Sequence, residues 1–295
     1  MTDERTVAGA ALTVEAVVSE IAATLAAAGL AQAREEARDL VAALLDVPRF
    51  WPTLHRGATV DEDVRDAARR AAARRASGAP FAYAARRAAF RHLTLDVDER
   101  VLIPRQETEM LVDEVLAALG TRHAGIAVDV GTGSGAIALA LASEGPLERV
   151  IATDVSLDAL DVARRNADLC ARALRCPVEF RAGSLLAPVR GVRARCVVSN
   201  PPYIAFEEAA ALPAGVRDWE PALALFSGAD GMAATAAIVR QAADVLEPGG
   251  LLALEVDARR ASLAAELAAT DGRYRGVRVR LDLAGRERFV LAIKT

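Results

Sequence analysis

Cysteine is scarce in this sequence, and its positions are informative. The only cysteines are Cys170, Cys176 and Cys196, and no two of them form a Cys-x-x-Cys pair. An odd number of cysteines without metal-ligand spacing argues against a disulfide framework and against a zinc cluster. We therefore expect three reduced thiols, buried or half-buried, in a cytoplasmic protein that holds no metal.

The sequence also lacks a segment that could enter a membrane. Its longest apolar runs, such as residues 135–142, are far shorter than the ~20 residues that a membrane-spanning helix needs. The N-terminus, Met1–Arg5, carries acidic residues where a secretory signal peptide carries basic ones. We therefore expect no membrane partner and a cytoplasmic location.

Lysine is almost absent: Lys294 is the only one, and arginine supplies the remaining positive charge. The formal net charge of −4 argues against a protein that coats nucleic acid by charge alone, so no direct nucleic-acid substrate is expected. Within residues 65–91, however, eight arginines stand against the single acid Asp66. This segment is either a docking face for an acidic partner or RNA, or a solvated helix face, and we favour the solvated face.

The residues that are present indicate two domains. The 295 residues, 53% of them hydrophobic, suit a domain of about 200 residues plus a smaller one. Apolar residues recur at helical spacing over 13–46, and a further helix is predicted over 61–77. Residues 1–85 are therefore interpreted as a helical bundle, with Phe50 and Trp51 in its core. Alternating residues within 86–106 predict a linker β-hairpin that turns at Asp98-Glu99-Arg100.

Residues 107–295 alternate between helix and strand patterns. A helix over 107–119 is followed by predicted strands at 126–130, 149–154, 178–182, 196–199 and 250–255, with helices at 135–144, 157–173 and 233–246 between them. This alternation predicts an α/β fold with a parallel, doubly wound, Rossmann-like sheet. The last two runs, 275–282 and 288–293, are separated by a short loop and therefore predict an antiparallel hairpin.

A glycine-rich loop follows the first predicted strand of the sheet. Its residues are Asp129, Gly131, Thr132, Gly133, Ser134 and Gly135. Glycines allow a ligand to touch the main chain, and the start of the following helix offers unpaired N–H groups. Asp154, at the end of the next strand, can accept both hydroxyl protons of a ribose. The loop fits the pyrophosphate of a dinucleotide or S-adenosylmethionine, and alone it does not choose between them.

A second loop, Asn200-Pro201-Pro202-Tyr203, follows the predicted strand at 196–199 and should face the same crevice. The Asn200 side-chain oxygen and the Pro201 carbonyl can each accept one N–H of a planar amide or amino group, on which Tyr203 can stack. Pro201 and Pro202 lack an N–H and have restricted φ, so the carbonyl is held rigidly. The loop is therefore typical of methyl transfer to a planar nitrogen.

Histidine, the commonest general base, is absent from this region. His55, His92 and His123 lie before the first core strand, and none forms an evident pair with a nucleophilic serine or cysteine. A sulfonium donor is already an excellent leaving group, so no strong base is required before transfer. Catalysis is then expected to rest on proximity and orientation, which can contribute ~7–11 kcal/mol.

These motifs and several others resemble the HemK/PrmC family of protein-(glutamine-N5) methyltransferases over nearly the whole chain. Besides the two loops, the resemblance is carried by Gly78–Tyr83, Val101–Glu109, Glu220–Leu225, Gly228–Gly231, Leu246–Gly250 and Asp282–Arg288. The Asn-Pro-Pro-Tyr motif is shared with DNA adenine methyltransferases, whereas residues 101–109, 220–231 and 282–288 are more specific to this family. The resemblance implies the fold of class I S-adenosylmethionine-dependent methyltransferases.

The resemblance also implies the ligands. Asp129, the glycine loop, Asp154 and Asn200 would hold S-adenosylmethionine, which leaves as S-adenosylhomocysteine, and Ser184 and Leu185 would lie against its adenine. Residues 200–203 would hold the glutamine of a Gly-Gly-Gln motif in peptide chain release factors, and the N-terminal helical domain would help to dock that protein.

The sequence departs from the family pattern at four positions. The four positions, Gln106, Ser184, Asp257 and Arg260, stand where the family usually has proline, aspartate, glycine and glutamine, respectively.

Other functions compete with glutamine methylation of a release factor. They are methylation of a ribosomal-protein glutamine, N6-methylation of adenine in nucleic acid, a catalytically idle cofactor-binding protein, and an NAD-dependent oxidoreductase.

Overall fold

The computed structural model describes residues 12–120 and 125–295. The expectations for Met1–Arg5 and for His123 therefore concern residues outside the described ranges. The chain divides into two compact units, with the boundary between Arg87 and Ala88. No helix within the described ranges is both long enough and apolar enough to cross a membrane.

The first unit is helical. Its described residues, 12–87, form the helices α1 Val14–Ala27, α2 Ala33–Leu45, α3 Trp51–Leu54, α4 Glu62–Ala76 and α5 Phe81–Ala85. The Thr13 hydroxyl caps α1 by accepting a hydrogen bond from the Ala16 amide at 3.2 Å. Apolar side chains of α1 and α2 pack against small alanines of α4 in one core, which includes Ile21, Leu40 and Ala68.

Two predictions for this unit have different outcomes. The prediction that Phe50 belongs to the core is wrong, because its side chain is 74% exposed just before the short helix α3. Trp51 is half-buried and packs against the core, and it also stacks on His55 with the ring centroids 4.4 Å apart. A helix of four residues cannot bury both neighbouring aromatic side chains on one face.

The arginine-rich segment is paired with acids from distant parts of the sequence. Arg65 and Arg69 both bind Glu20 of α1, and Arg75 binds Glu36 of α2 at 2.6 Å. These contacts agree with a solvated, ion-paired helix face rather than with an unneutralised basic surface.

The second unit is an α/β domain. Its elements, in chain order, are β1 Ala88–Phe90, β2 Leu93–Leu95, α6 Gln106–Leu119, β3 Ile126–Val130, α7 Ala136–Glu144, β4 Arg149–Asp154, α8 Leu157–Leu169, β5 Val178–Ala182, β6 Ala194–Ser199, α9 Ala214–Arg217, α10 Ala222–Leu225, α11 Ala233–Val245, β7 Leu246–Glu255, α12 Ala261–Thr270, β8 Tyr274–Leu281 and β9 Glu287–Lys294. Two 3₁₀ helices, Ala187–Val189 and Phe206–Ala211, lie in the loops that flank β6.

Seven strands form one sheet in the order β5-β4-β3-β6-β7-β9-β8. The five strands from β5 to β7 are parallel, and β8 and β9 add an antiparallel hairpin. Helices cover both faces, each over its own apolar cluster. The predicted doubly wound sheet and its closing hairpin are therefore confirmed. The near-continuous apolar runs of the central strands β3, β4, β6 and β7 suit burial on both faces.

The predicted linker hairpin is misplaced. The observed antiparallel pair is β1 with β2, joined by Arg91 and His92, and no strand is formed at 98–103. The reason is local: the Asp98 carboxylate accepts hydrogen bonds from the backbone and the guanidinium of Arg100, and the Asp98 carbonyl accepts one from the Val101 amide. These bonds make a turn without a partner strand.

The three thiols behave as expected. Cys170, Cys176 and Cys196 are free and buried, and all three belong to the core on one face of the sheet. Burial raises the pKa of each thiol, so they pack as small apolar side chains.

Candidate active site

The two loops singled out in the sequence begin side by side. Val130 at the end of β3 pairs with Ser199 at the end of β6, and the Ser199 hydroxyl donates to the Val130 carbonyl at 2.6 Å. The strand order reverses here, since β4 lies on one side of β3 and β6 on the other. Ligands of open α/β sheets bind in the crevice at such a reversal.

The three glycines of the first loop have two different roles. All have positive φ, at 72°, 54° and 85° for Gly131, Gly133 and Gly135. A Cβ atom on Gly131 or Gly133 would meet nothing within 4 Å, whereas one on Gly135 would lie 3.3 Å from the Ala163 Cβ of α8. Gly131 and Gly133 therefore leave open space for a ligand, and Gly135 allows helix packing.

Three amides of this loop already have partners within the protein. The Gly131 and Thr132 amides donate to the Thr153 carbonyl at 2.8 and 3.0 Å, and the Gly133 amide donates to the Asp154 carboxylate at 2.9 Å. A ligand would thus contact the glycine Cα faces rather than these N–H groups. The Thr132 and Ser134 side chains are buried within the loop.

The Asp129 side chain stabilises the loop through hydrogen bonds. Its carboxylate is fully buried and accepts hydrogen bonds from the Thr132 hydroxyl at 2.6 Å and from the Ala138 amide at 3.1 Å. Burial raises the pKa of Asp129 to about 7, against the effect of these bonds. Both bonds use the Oδ2 atom, and the buried Oδ1 has no hydrogen-bond partner among the described residues.

Replacing Asp129 with asparagine is expected to remove a pH dependence of stability. The folded-state pKa of about 7 lies above the ordinary value of 3.8, so between these pH values the folded protein holds a proton that the unfolded chain has lost. The free energy of unfolding therefore falls as pH rises through this window, by up to about 1.4 kcal/mol per pH unit. Urea unfolding at about pH 5 and about pH 8 should show wild type losing stability relative to Asp129→Asn, and parallel profiles would contradict this.

Asp154 lies at the end of β4, next to the residues expected at the adenine. Its carboxylate accepts from the Gly133 and Ser156 amides, both at 2.9 Å, and its remaining lone pairs are available to hydroxyl groups. Its carbonyl accepts from the Gly183 amide. Leu185 has a φ of 50° and its carbonyl is held by Thr153, while the Ser184 side chain is exposed.

The second loop presents two acceptors. Pro201 is buried, and Asn200, Pro202 and Tyr203 are half-buried. The Asn200 Nδ2 donates to the Thr108 hydroxyl at 3.1 Å. Within the described residues no donor reaches the Asn200 Oδ1 or the Pro201 carbonyl. Both oxygens are therefore available to the N–H groups of a substrate amide.

The Tyr203 phenol stays neutral at physiological pH. Burial and the nearby Glu255 raise the pKa of Tyr203 to about 12. The side chain can therefore supply an aromatic face or an O–H donor but no base.

Sequence reasoning missed several residues around this loop. Thr108 lies between Asn200 and Glu255, and Arg105 forms an ion pair with the buried Glu220. These partners are separated by 92 to 147 positions in the sequence. The family-like segment 101–109 contains two of the missed residues, Arg105 and Thr108, but nothing in the pattern indicates which side chains they meet.

This strand order, with its reversal between the two loops, places the second unit among the class I methyltransferases. A solved methyltransferase from Pyrococcus furiosus has the same fold, with a TM-score of 0.50 and 19% identity, over 70% of this chain and 90% of its own. The model of the methyltransferase small domain matches residues 106–213, and that of the PrmC N-terminal domain matches residues 16–84.

Two curated relatives agree over nearly their full lengths. The release factor glutamine methyltransferase of Moorella thermoacetica is 41% identical, covering 96% of this chain and 99% of its own. The protein of the same name from Mycolicibacterium smegmatis is 42% identical, covering 92% and 94%. The chain belongs to the family of release factor glutamine methyltransferases.

Proposed function

We propose that this protein transfers a methyl group from S-adenosylmethionine to the side-chain amide nitrogen of the glutamine in the Gly-Gly-Gln motif of a peptide chain release factor. The observation that carries the proposal is the pairing of Val130 with Ser199, which starts the glycine loop and the Asn-Pro-Pro-Tyr loop at adjacent points of one sheet edge. A donor held by the first loop and an amide held by the second can then meet.

The residues of the first loop fit S-adenosylmethionine. The open faces of Gly131 and Gly133 leave room for the amino-acid tail of S-adenosylmethionine. Asp154 offers carboxylate lone pairs to the ribose hydroxyls. Ser184 and Leu185, in the loop after β5, are the residues proposed to lie along the adenine. When bound, this group supplies an electrophilic methyl on a positively charged sulfur.

The second loop is proposed to hold the glutamine amide. The Asn200 Oδ1 and the Pro201 carbonyl would each accept one of its two N–H groups, and Tyr203 would cover its flat face. Pro202 keeps the backbone from offering a competing donor. With both N–H groups held, the nitrogen is oriented, and positioning supplies most of the rate enhancement.

No side-chain base is assigned to the reaction. His92 lies at the β1–β2 turn, near Glu144 at the far end of α7, and the high pKa of Tyr203 excludes it as a base at neutral pH. The nitrogen becomes acidic once it carries the methyl group, so its proton can pass to water.

Incubation with labelled S-adenosylmethionine and a purified release factor tests this function. Mass spectrometry of the Gly-Gly-Gln peptide should show one added methyl group on the glutamine side chain. A release factor with that glutamine changed to alanine is the matched control and should stay unlabelled. An unmethylated glutamine in the wild-type factor, or label on the control factor, would contradict the proposal.

Gly131→Ala is expected to weaken binding of S-adenosylhomocysteine by at least about tenfold, because the new methyl group enters the space proposed for the ligand. Gly285→Ala is a matched control: its φ of 75° and the absence of atoms within 4 Å of a Cβ resemble those of Gly131, but it lies in the β8–β9 turn. Both variants should lose about 1–2 kcal/mol of stability from backbone strain. Calorimetric titration showing equal affinities for the two would contradict the assignment.

We also propose that the helical unit helps to dock the release factor, which is supported by exposed apolar side chains at α3. Phe50 and Leu54 are 74% and 77% exposed, a pattern typical of contact sites. Changing both to serine is expected to raise KM for the release factor by about tenfold, with kcat unchanged. Leu169→Ser, at a side chain that is 68% exposed in the other unit, is the control, and an equal rise in its KM would contradict the docking role.

A further inference from the structure

We propose that Thr108 and Glu255 are positioning residues, which turn the Asn200 carboxamide so that its oxygen and not its nitrogen faces the substrate amide. This inference rests on the proposed function, because it assigns Asn200 the role given there. It extends that role to two buried side chains that act through Asn200.

The three side chains form one hydrogen-bonded chain. Asn200 Nδ2 donates to Thr108 Oγ1 at 3.1 Å, and Thr108 Oγ1 donates to Glu255 Oε2 at 2.7 Å. Thr108 is in the first turn of α6 and is 5% exposed, and Glu255 ends β7 and is 2% exposed. Because water is largely excluded from both, the chain is not replaced easily by solvent.

When Glu255 is ionised, the hydrogen-bonded chain has a definite polarity, meaning that the direction of donation in both of its hydrogen bonds is fixed. A carboxylate can only accept hydrogen bonds, so the single hydroxyl hydrogen of Thr108 must go to Glu255. Thr108 then has only lone pairs left for Asn200, which must present its NH₂ group. The amide oxygen is thereby directed away from Thr108 and toward the open site. Without Thr108 the carboxamide can rotate by half a turn, and its NH₂ group would face the substrate N–H.

The charged groups around Glu255 act in opposite directions. Burial, with Glu107, raises the pKa of Glu255 to about 7, whereas the Thr108 hydrogen bond, Arg288 at β9 and Arg105 before α6 favour its ionised form. The charge of Glu255 in turn raises the pKa of the Tyr203 phenol. A protonated Glu255 could itself donate to Thr108, which would free the Thr108 hydrogen for the Asn200 oxygen and remove the polarity.

Two variants of Thr108 separate positioning from packing. Thr108→Val keeps the shape but removes the hydroxyl, and Thr108→Ser keeps the hydroxyl. With S-adenosylmethionine and a purified release factor, Thr108→Val should lower kcat by about 10- to 100-fold, the effect of an unsatisfied buried polar group. KM and the affinity for S-adenosylhomocysteine should change little, and Thr108→Ser should restore most of kcat. Equal losses in the valine and serine variants would overturn the inference.

Combination with Asn200→Ala distinguishes the inference from the proposed function. If Thr108 acts through Asn200, Thr108→Val should have almost no further effect on kcat in the Asn200→Ala background. A full additional loss there would overturn the inference and leave the proposed function intact. Wild-type kcat in Asn200→Ala itself would instead overturn the role of Asn200 in the proposed function.

A pH profile tests the part played by Glu255. The kcat of wild type should decline as pH falls below about 7, because protonation of Glu255 removes the polarity of the chain. Glu255→Gln should lose this acid limb, with a lower kcat that is flat through the same range. An unchanged acid limb in Glu255→Gln would overturn the role of this residue.

Discussion

Replacing Asn200 with alanine is expected to lower kcat for glutamine methylation by at least about 100-fold, because one of the two acceptors that orient the substrate amide is lost. The affinity for S-adenosylhomocysteine should stay nearly unchanged, since the open glycine faces and Asp154 belong to the other loop. Single-turnover transfer to a purified release factor measures the first quantity, and calorimetric titration of S-adenosylhomocysteine measures the second.

Comparison of kcat with the affinity for S-adenosylhomocysteine distinguishes a role of Asn200 at the substrate amide from a role at the methyl donor. Asn200 is only half-buried, so the alanine variant should fold, and its thermal midpoint serves as the control. A kcat within about twofold of wild type would exclude Asn200 as an orienting acceptor. Equal losses of transfer and cofactor affinity would place Asn200 at the donor rather than at the amide.

Gly231→Ala is expected to destabilise the protein by about 2–4 kcal/mol and to lower methyl transfer as well. Gly231 has a φ of 76°, and a Cβ there would lie 2.4 Å from the Tyr203 carbonyl oxygen and 2.6 Å from Arg260 Nε. The carbonyl belongs to the Asn-Pro-Pro-Tyr loop. Arg260 is held by the Asp230 carbonyl at 2.7 Å and by Glu208 at 2.9 Å, so neither contact relaxes easily.

The control for this variant isolates the overlap from the strain. Gly285→Ala has a nearly equal φ of 75° but meets no atom within 4 Å, so it should lose only about 1–2 kcal/mol. Urea unfolding gives the stability of both variants, and transfer to a release factor gives their activity. Equal stability losses, or full activity in Gly231→Ala, would show that the Tyr203 backbone does not depend on this close approach.

Two departures from the family pattern lie in the same region. Asp257 and Arg260 face each other at 3.5 Å, and Arg260 also binds Glu208 of the loop that follows Asn-Pro-Pro-Tyr. These contacts tie that loop to the end of β7. The change at Arg260 therefore has a structural role in this chain, whereas Gln106 and Ser184 are exposed and nothing in the structure explains them.

The parts of the fold that could be predicted are those with local causes. The alternation of strand and helix patterns predicted the parallel sheet, because helices connect neighbouring parallel strands. The short Ala284-Gly285-Arg286 link predicted the antiparallel hairpin, since parallel neighbours need a longer crossover. The prediction of the linker hairpin was wrong at its turn. Alternation of apolar residues does not reveal that the Asp98 side chain closes a local turn there.

The sequence by itself determined the two loops, the strands that precede them and the class of chemistry, because glycine and proline act on the backbone at their own positions. The tertiary structure alone decided which groups the loops offer. In the folded protein the Gly131 and Gly133 amides donate hydrogen bonds to other parts of the chain, and Thr108 and Glu255 are joined to Asn200 by hydrogen bonds. A hydrogen bond needs two groups within about 3 Å, and only folding sets that distance for residues far apart in the chain.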